Sequence, residues 1–325
     1  MAFQPGVTDL HVNKLLTELS IAYMNAEYIA SRLFPIVYVP FKSDNYVSYD
    51  QSHWFRDEAE VRAPGTIAVE GGWTVNTTNT YNCVNYAYRH AIPDELRANS
   101  DSVFSLDKEA TSFVTDKIQM RWERAWASDF FAASKWGTDK TGGSDFTKFS
   151  DYGASSPIQT LRTYMRTVRQ AIARRPNVLV LGEFGFDILA DHPDFIERIK
   201  GAASPGSPAI VTPQLLASTL RLDRIEIGSA MYTATTEGVA EASVTYSDIF
   251  DDDALLMYVT NSPSLMTPSA GYTFVWYTPG GVRTPMYVRT LRDDDARKDV
   301  VEGNTYFDQV ITSSKAGLFL SDMVD

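Results

Sequence analysis

Residues 105–136, SLDKEATSFVTDKIQMRWERAWASDFFAASKW, constrain the fold more than any other stretch of the chain. Leu106, Ala110, Val114, Ile118, Trp122, Trp126 and Phe130 recur every four residues, and Phe113 and Ala125 widen the apolar stripe. Asp107, Lys108, Asp116, Lys117, Glu123 and Arg124 fall on other faces, so the spacing predicts one long amphipathic helix. Ser105 is placed to cap it, with Asp107 and Glu109 in the first turn, where negative charge meets the positive end of the helix dipole. At 1.5 Å per residue such a helix runs about 45 Å. It is too long to be wrapped by an ordinary compact domain and suits a spine that braces several elements.

The rest of the chain is large enough to need one. Its 325 residues suffice for two domains at about 150 residues each. The net charge of -12 argues against a surface built to wrap nucleic-acid phosphates, which takes clustered Lys and Arg. Cys83 is the lone cysteine, which excludes an intramolecular disulfide and fits a reducing compartment. The first ten residues, MAFQPGVTDL, have neither the basic nor the apolar region of a signal peptide, so a cytoplasmic protein is expected. The longest uncharged run, residues 254–282, is interrupted by Pro263, Pro268 and Pro279 and is no membrane span.

In chain order, residues 12–32 form a loosely helical apolar face, and 36–41 read as a strand. From Lys42 to Thr80 the pattern loosens into polar residues around Trp54, Phe55 and Trp73. Asp57, Glu58, Glu60 and Arg62 climb to the turn Ala63-Pro64-Gly65, and Ile67, Val69, Trp73 and Val75 alternate on the way back. This predicts a long charged two-stranded arm. Such a hairpin is marginal alone, so another surface, such as a second subunit, is expected to support it. After the spine, Ser156-Pro157 opens a helix with Ile158, Leu161, Met165, Val168 and Ile172 on one face; Arg162, Arg166, Arg169, Arg174 and Arg175 fall elsewhere. That basic run reads as a solvated face or a contact with acidic protein more readily than as an anion site. Residues 176–270 alternate strand and helix like a compact α/β unit. The strands predicted over 286–291, 305–311 and 317–320 are expected to return to the first body.

No catalytic constellation emerges. His11, His53, His90 and His192 are scattered, without a paired metal spacing. Cys83 and His90 lie seven residues apart near one strand and so face opposite ways, poor geometry for a nucleophile and its base. Gly182-Glu183-Phe184-Gly185 lacks the three-glycine dinucleotide pattern, and GTDKTGG lacks the upstream glycine of a phosphate loop. The runs Asp251–Asp253 and Asp293–Asp295 lack the Gly and bidentate Glu of a helix-loop-helix calcium site and read as solvated turns. No cofactor or metal is expected.

Four stretches together resemble the major capsid proteins of tailed phages: YIASRLFPIVYVPFKSDNYVSY, FRDEAEVRAPGTIAVEGG, NVLVLGEFGFDILADHPDFIERIK, and SAMY followed by DDDALLMYV. They span nearly the whole chain in order. The resemblance implies the α+β fold named after phage HK97. Its parts here would be an N-terminal arm (1–35), an E-loop with flanking peripheral strands (36–90), a peripheral domain with the spine helix (91–175), an axial domain (176–270) and C-terminal strands returning to the peripheral domain (271–325). It implies a structural subunit, not an enzyme, that assembles in the bacterial host cytoplasm into the hexamers and pentamers of an icosahedral virion shell around double-stranded DNA. Asp57, Glu58, Glu60 and Arg62 of the E-loop would make intersubunit contacts. The implied partners are further copies of the chain and a portal protein, with or without a decoration protein, with DNA touched non-specifically and no membrane. The short N-terminus leaves no room for a fused scaffolding segment, so a separate scaffolding protein is expected. No lysine lies between Lys42 and Lys108, so the Lys to Asn cross-link some relatives make from the E-loop cannot form there. Two other readings compete: an α/β enzyme using Glu183, Asp187 and His192 at the strand ends of the 176–270 unit, and a soluble binding or adaptor protein using the aromatic arm.

Overall fold

Two five-stranded sheets share one helix between them. The computed structural model describes residues 28–49, 51–99, 105–202, 211–236, 238–263, 267–277 and 283–325. The expected helical arm before residue 28 lies outside the described residues. The strands in chain order are β1 (Ile36–Val39), β2 (Ser43–Tyr49), β3 (Val75–Asn82), β4 (Val84–Pro93), β5 (Thr138–Thr141), β6 (Val178–Gly182), β7 (Arg224–Gly228), β8 (Met231–Tyr232), β9 (Ser247–Asp248), β10 (Ala254–Met257), β11 (Gly271–Trp276), β12 (Tyr287–Asp293), β13 (Lys298–Ile311) and β14 (Gly317–Ser321).

The first sheet is built on β13. One edge of β13 pairs β12 from Lys298 to Asn304 and then β11 from Phe307 to Ile311, while its other edge pairs β4 from Lys298 to Phe307. β1 closes the sheet in parallel with β11. The second sheet has the order β5-β14-β10-β6-β7. Here the structure corrects two expectations. Residues 176–270 supply only β6, β7 and β10, so this unit is not self-contained: β5 comes from just after the spine and β14 from the end of the chain. The segment at 317–321 does not return to the first body but pairs with β10, Leu255 opposite Phe319. The reason is in the side chains. β14, like β6 and β10, is apolar on both faces and buried on both, as a central strand covered on both sides must be, whereas β12 alternates half-buried and exposed positions at its outer end.

The spine helix is Leu106–Phe130. It stops short of Trp136 because the Trp136 indole N–H folds back and donates to the Phe130 carbonyl at 2.7 Å, satisfying an end that water would otherwise serve. Ser105 precedes the helix, but its side chain does not cap it. A residue every four positions advances about 40° around the helix axis per step, so this stripe winds rather than running straight. Its N-terminal end buries Ala110 with Ile92, Val288 and Val301 of the first sheet. Trp122 then stacks on Phe307, centroids 4.3 Å apart. Further along, Trp126 and Phe130 meet Phe34, and Trp126 and Phe131 meet Phe250. The winding lets one helix seal both sheets. Close approach needs Gly303 in β13, where a Cβ would sit 2.6 Å from both Val114 and Ile118. Phe113 is not part of the sealed stripe: it is 42% exposed, beside Tyr88 and His90.

Candidate assembly surfaces

The arm leaves the body as the β2–β3 hairpin, whose register runs from Ser43↔Asn82 to Tyr49↔Val75 with an irregularity at Tyr46/Ser48. Its base is fixed where Cys83 N donates to the Lys42 carbonyl at 2.8 Å and Tyr81 stacks on Phe274 with centroids 4.6 Å apart. The expected two-stranded pairing stops there. Beyond the short helix Gln51–Trp54, residues 55–74 carry no strand, and every residue from 54 to 78 is exposed. The turn forms as expected, with Thr66 N donating to the Ala63 carbonyl and Gly65 at φ 82°. The outgoing side, with Asp57, Glu58 and Glu60, offers no apolar row to pair against Ile67 and Val69, so no ladder extends to the tip.

All four singled-out charges lie on this tip and are exposed. Arg62 is turned inward, its guanidinium donating to the Thr66 carbonyl. Glu58 pairs with Arg56 at 3.4 Å. Between the tip and the hairpin, Tyr49, Trp54 and Trp73 form a row of rings, with 5.8 Å between the two Trp centroids, yet both Trp remain at least half exposed. Ile67 is 90% exposed, and Val61 and Phe55 also face outward. Burying one such side chain fully contributes roughly 1.5–3 kcal/mol, against about 0–1 kcal/mol for an exposed ion pair. The exposed apolar side chains therefore offer more binding free energy than the charges to any surface that would cover the arm.

A second surface was not legible in the sequence. Glu123, assigned by periodicity to an outer face, is buried at 1% exposure. Its carboxylate accepts the Ile29 and Ala30 backbone N–H groups, the shortest at 2.7 Å. Tyr28 donates to Asp116 at 2.9 Å, and Arg32 pairs with Glu226 at 3.4 Å. These contacts fix residues 28–32 against the spine and, through Glu226, against β7. Burial pushes the Glu123 carboxyl up to about 7, opposed by the two backbone N–H groups and Arg32 and reinforced by Glu226. A carboxyl whose folded pKa is raised stabilises the fold below its unfolded pKa, and that stability is lost as pH rises from about 4.5 to about 7, on the order of 3 kcal/mol in total. Urea denaturation at pH 5 and pH 8 checks this. The Glu123→Gln subunit is expected to lose that part of the pH slope, and equal slopes in both proteins would refute a charged, buried Glu123.

The residues of the enzyme reading are not brought together. Glu183 and Asp187 lie exposed on the helix Glu183–Asp191, and no hydrogen bond joins them to each other or to His192 among the described residues. His192 is buried, and burial lowers its pKa, opposed by Asp194. Its Nδ1 accepts the Asp194 N–H at 3.1 Å, so Nε2 carries the proton and donates to Ser155 Oγ at 2.9 Å; the Ser155 hydroxyl donates to the Asp151 carbonyl. An imidazole that already donates to the serine cannot accept its proton. The Cys83 thiol is buried and pushed up to about 12, chiefly by burial, far from a thiolate nucleophile. Gly182 serves packing: a Cβ there would lie 2.4 Å from the Asp251 carbonyl oxygen. Asp253 accepts the Asp322 N–H, and Asp293 and Asp294 are engaged by Ala296 N, Lys298 and Arg292. Among the described residues no group of His, Cys, Asp or Glu side chains converges to hold a metal ion.

No family model matches the chain. The major capsid protein of Burkholderia phage BcepMu is 26% identical over 319 residues, covering 95% of this chain and 96% of that protein. Among solved structures, a phage-related protein from Bordetella bronchiseptica RB50 superposes with a TM-score of 0.70 at 21% identity, over 97% of this chain and 98% of the other. The capsid subunit of cyanophage P-SCSP1u superposes with a TM-score of 0.57 at 11% identity, over 89% and 86%.

Proposed function

We infer that this chain is the major capsid protein of a tailed phage, a structural subunit that assembles with further copies of itself into the virion shell. Its α+β fold is the HK97-like capsid fold. The observation that carries the reading is similarity to a phage major capsid protein along essentially the whole chain, joined to an arm that exposes apolar side chains with nothing in its own subunit to cover them. The arm is the E-loop, with Asp57, Glu58, Glu60 and Arg62 meeting a neighbouring subunit. The first sheet and spine form the peripheral body and the second sheet the axial body, hexamers and pentamers closing around double-stranded DNA. A separate scaffolding protein and a portal complete the assembly, with or without a decoration protein, and it takes place in the host cytoplasm. With no lysine between residues 42 and 108, the E-loop contact is non-covalent.

Negative-stain electron microscopy of the purified protein, alone and co-expressed with the neighbouring scaffolding gene product, tests this. Capsomers or closed shells are expected. A monomer or a small closed oligomer under both conditions would return the protein to the enzyme or adaptor reading.

A further inference from the structure

The helix Pro157–Ile172 buries Ile158, Leu161, Met165, Val168 and Ile172, which leaves Arg162, Arg166 and Arg169 at spacings of four and three on one face, over about 10 Å of helix. With Met165, Arg175 and Arg221 they line a cleft of about 480 Å³. None of these five guanidiniums has an ion pair among the described residues, and residues 201–210 carry no charged side chain. Two of the five are held in place: Arg162 donates to the Thr219 carbonyl at 2.9 Å and Arg175 to the Leu220 carbonyl at 2.8 Å, at the C-terminal end of the helix Pro213–Leu220. Each keeps further N–H donors unspent. Burial, then Arg198, Arg221 and Arg175, lower the Arg162 pKa, the mark of like charges crowded together.

Such crowding stands out in a chain of net charge -12, where no carboxylate among the described residues pairs with these five, although Asp194 and Glu197 line the adjoining cleft that shares Arg162 and Arg166. We propose that this cleft binds phosphate groups, either a free phosphate or pyrophosphate anion or successive phosphates of a nucleic-acid backbone. A single carboxylate satisfies one guanidinium fork, whereas the several oxygens of a phosphate dianion accept from more than one, matching an array of five. The site does not depend on the capsid reading, because it lies within one subunit.

The full-length, unassembled protein is titrated with pyrophosphate by calorimetry and with a short fluorescent DNA duplex by anisotropy at several salt concentrations. Arg166 and Arg169 are exposed, so the R166Q/R169Q subunit is expected to keep its circular dichroism. It should lose at least about tenfold in affinity, with a salt slope shallower by about 2. Arg174→Gln, which does not line the cleft, should bind as the parent does. Pyrophosphate binding without duplex binding assigns the cleft to a free anion, and a duplex displaced by pyrophosphate assigns it to a backbone; both support the site. Failure of both probes, an R166Q/R169Q protein that binds like the parent, or polyglutamate displacing the probe as well as pyrophosphate does would overturn it.

Discussion

Replacing residues 58–71 by a short Gly-Ser link is expected to leave the subunit folded and soluble while abolishing closed shells. Nothing between residues 54 and 78 is buried or belongs to a hydrophobic cluster, so the deletion removes no core contact. It does remove Val61 and Ile67, which have almost no cover in their own subunit, and Val69, which is more than half exposed. If a neighbour buries even half of each, the contact is worth several kcal/mol at roughly 1.5–3 kcal/mol per fully buried side chain. That term recurs at every subunit of the shell. Neutralising the tip with E58Q/E60Q should weaken assembly far less and chiefly at low salt. The comparison is made by electron microscopy of co-expressed material. Uniform closed particles from the deletion variant would show that the arm is dispensable for assembly.

The second large effect lies inside the subunit. Trp126→Ala should cost about 3–5 kcal/mol in chemical denaturation of the isolated subunit. Trp126 is fully buried, set edge-on to Phe34 at 5.5 Å and within 5.9 Å of both Phe130 and Phe250. Its indole N–H has no acceptor among the described residues, so the loss is one of packing, with no hydrogen bond removed. Phe113→Ala on the same helix, at 42% exposure, is the control and should stay within about 0.5 kcal/mol. Equal, small effects at the two positions would mean that the spine does not seal the two sheets.

The spine and the turn at the arm's tip were legible because each rests on local periodicity or a turn signature, whereas the ladder expected along the arm stops at Tyr49 and Val75. What escaped the sequence depends on partners far away in the chain. Glu123 falls on a polar position of the helical repeat, and only the return of Ile29 and Ala30 against it makes it a buried acceptor. Ser156-Pro157 and Thr212-Pro213 are the same capping signature, yet Thr212 accepts from Leu215 N while Ser156 makes no cap. The tail strand β14 was assigned to the wrong sheet because its length and apolar content suit either, and only burial on both faces distinguishes them. Of the assembly surface, the tip charges could be read directly. The ring row of Tyr49, Trp54 and Trp73 could be read only as scattered aromatics, since residues 54 and 73 meet through the hairpin.

The place of β14 also bears on synthesis at the ribosome. The strand Gly317–Ser321 sits between β5 and β10 in the second sheet, so β5 has no place on this sheet until those residues have been made. The first sheet waits on β13 in the same way, since β4, β11 and β12 all pair with it. Neither sheet can be completed before β13 and β14 are made. A chain broken off before residue 317 is therefore expected to leave the second sheet open between β5 and β10, with buried apolar strands uncovered.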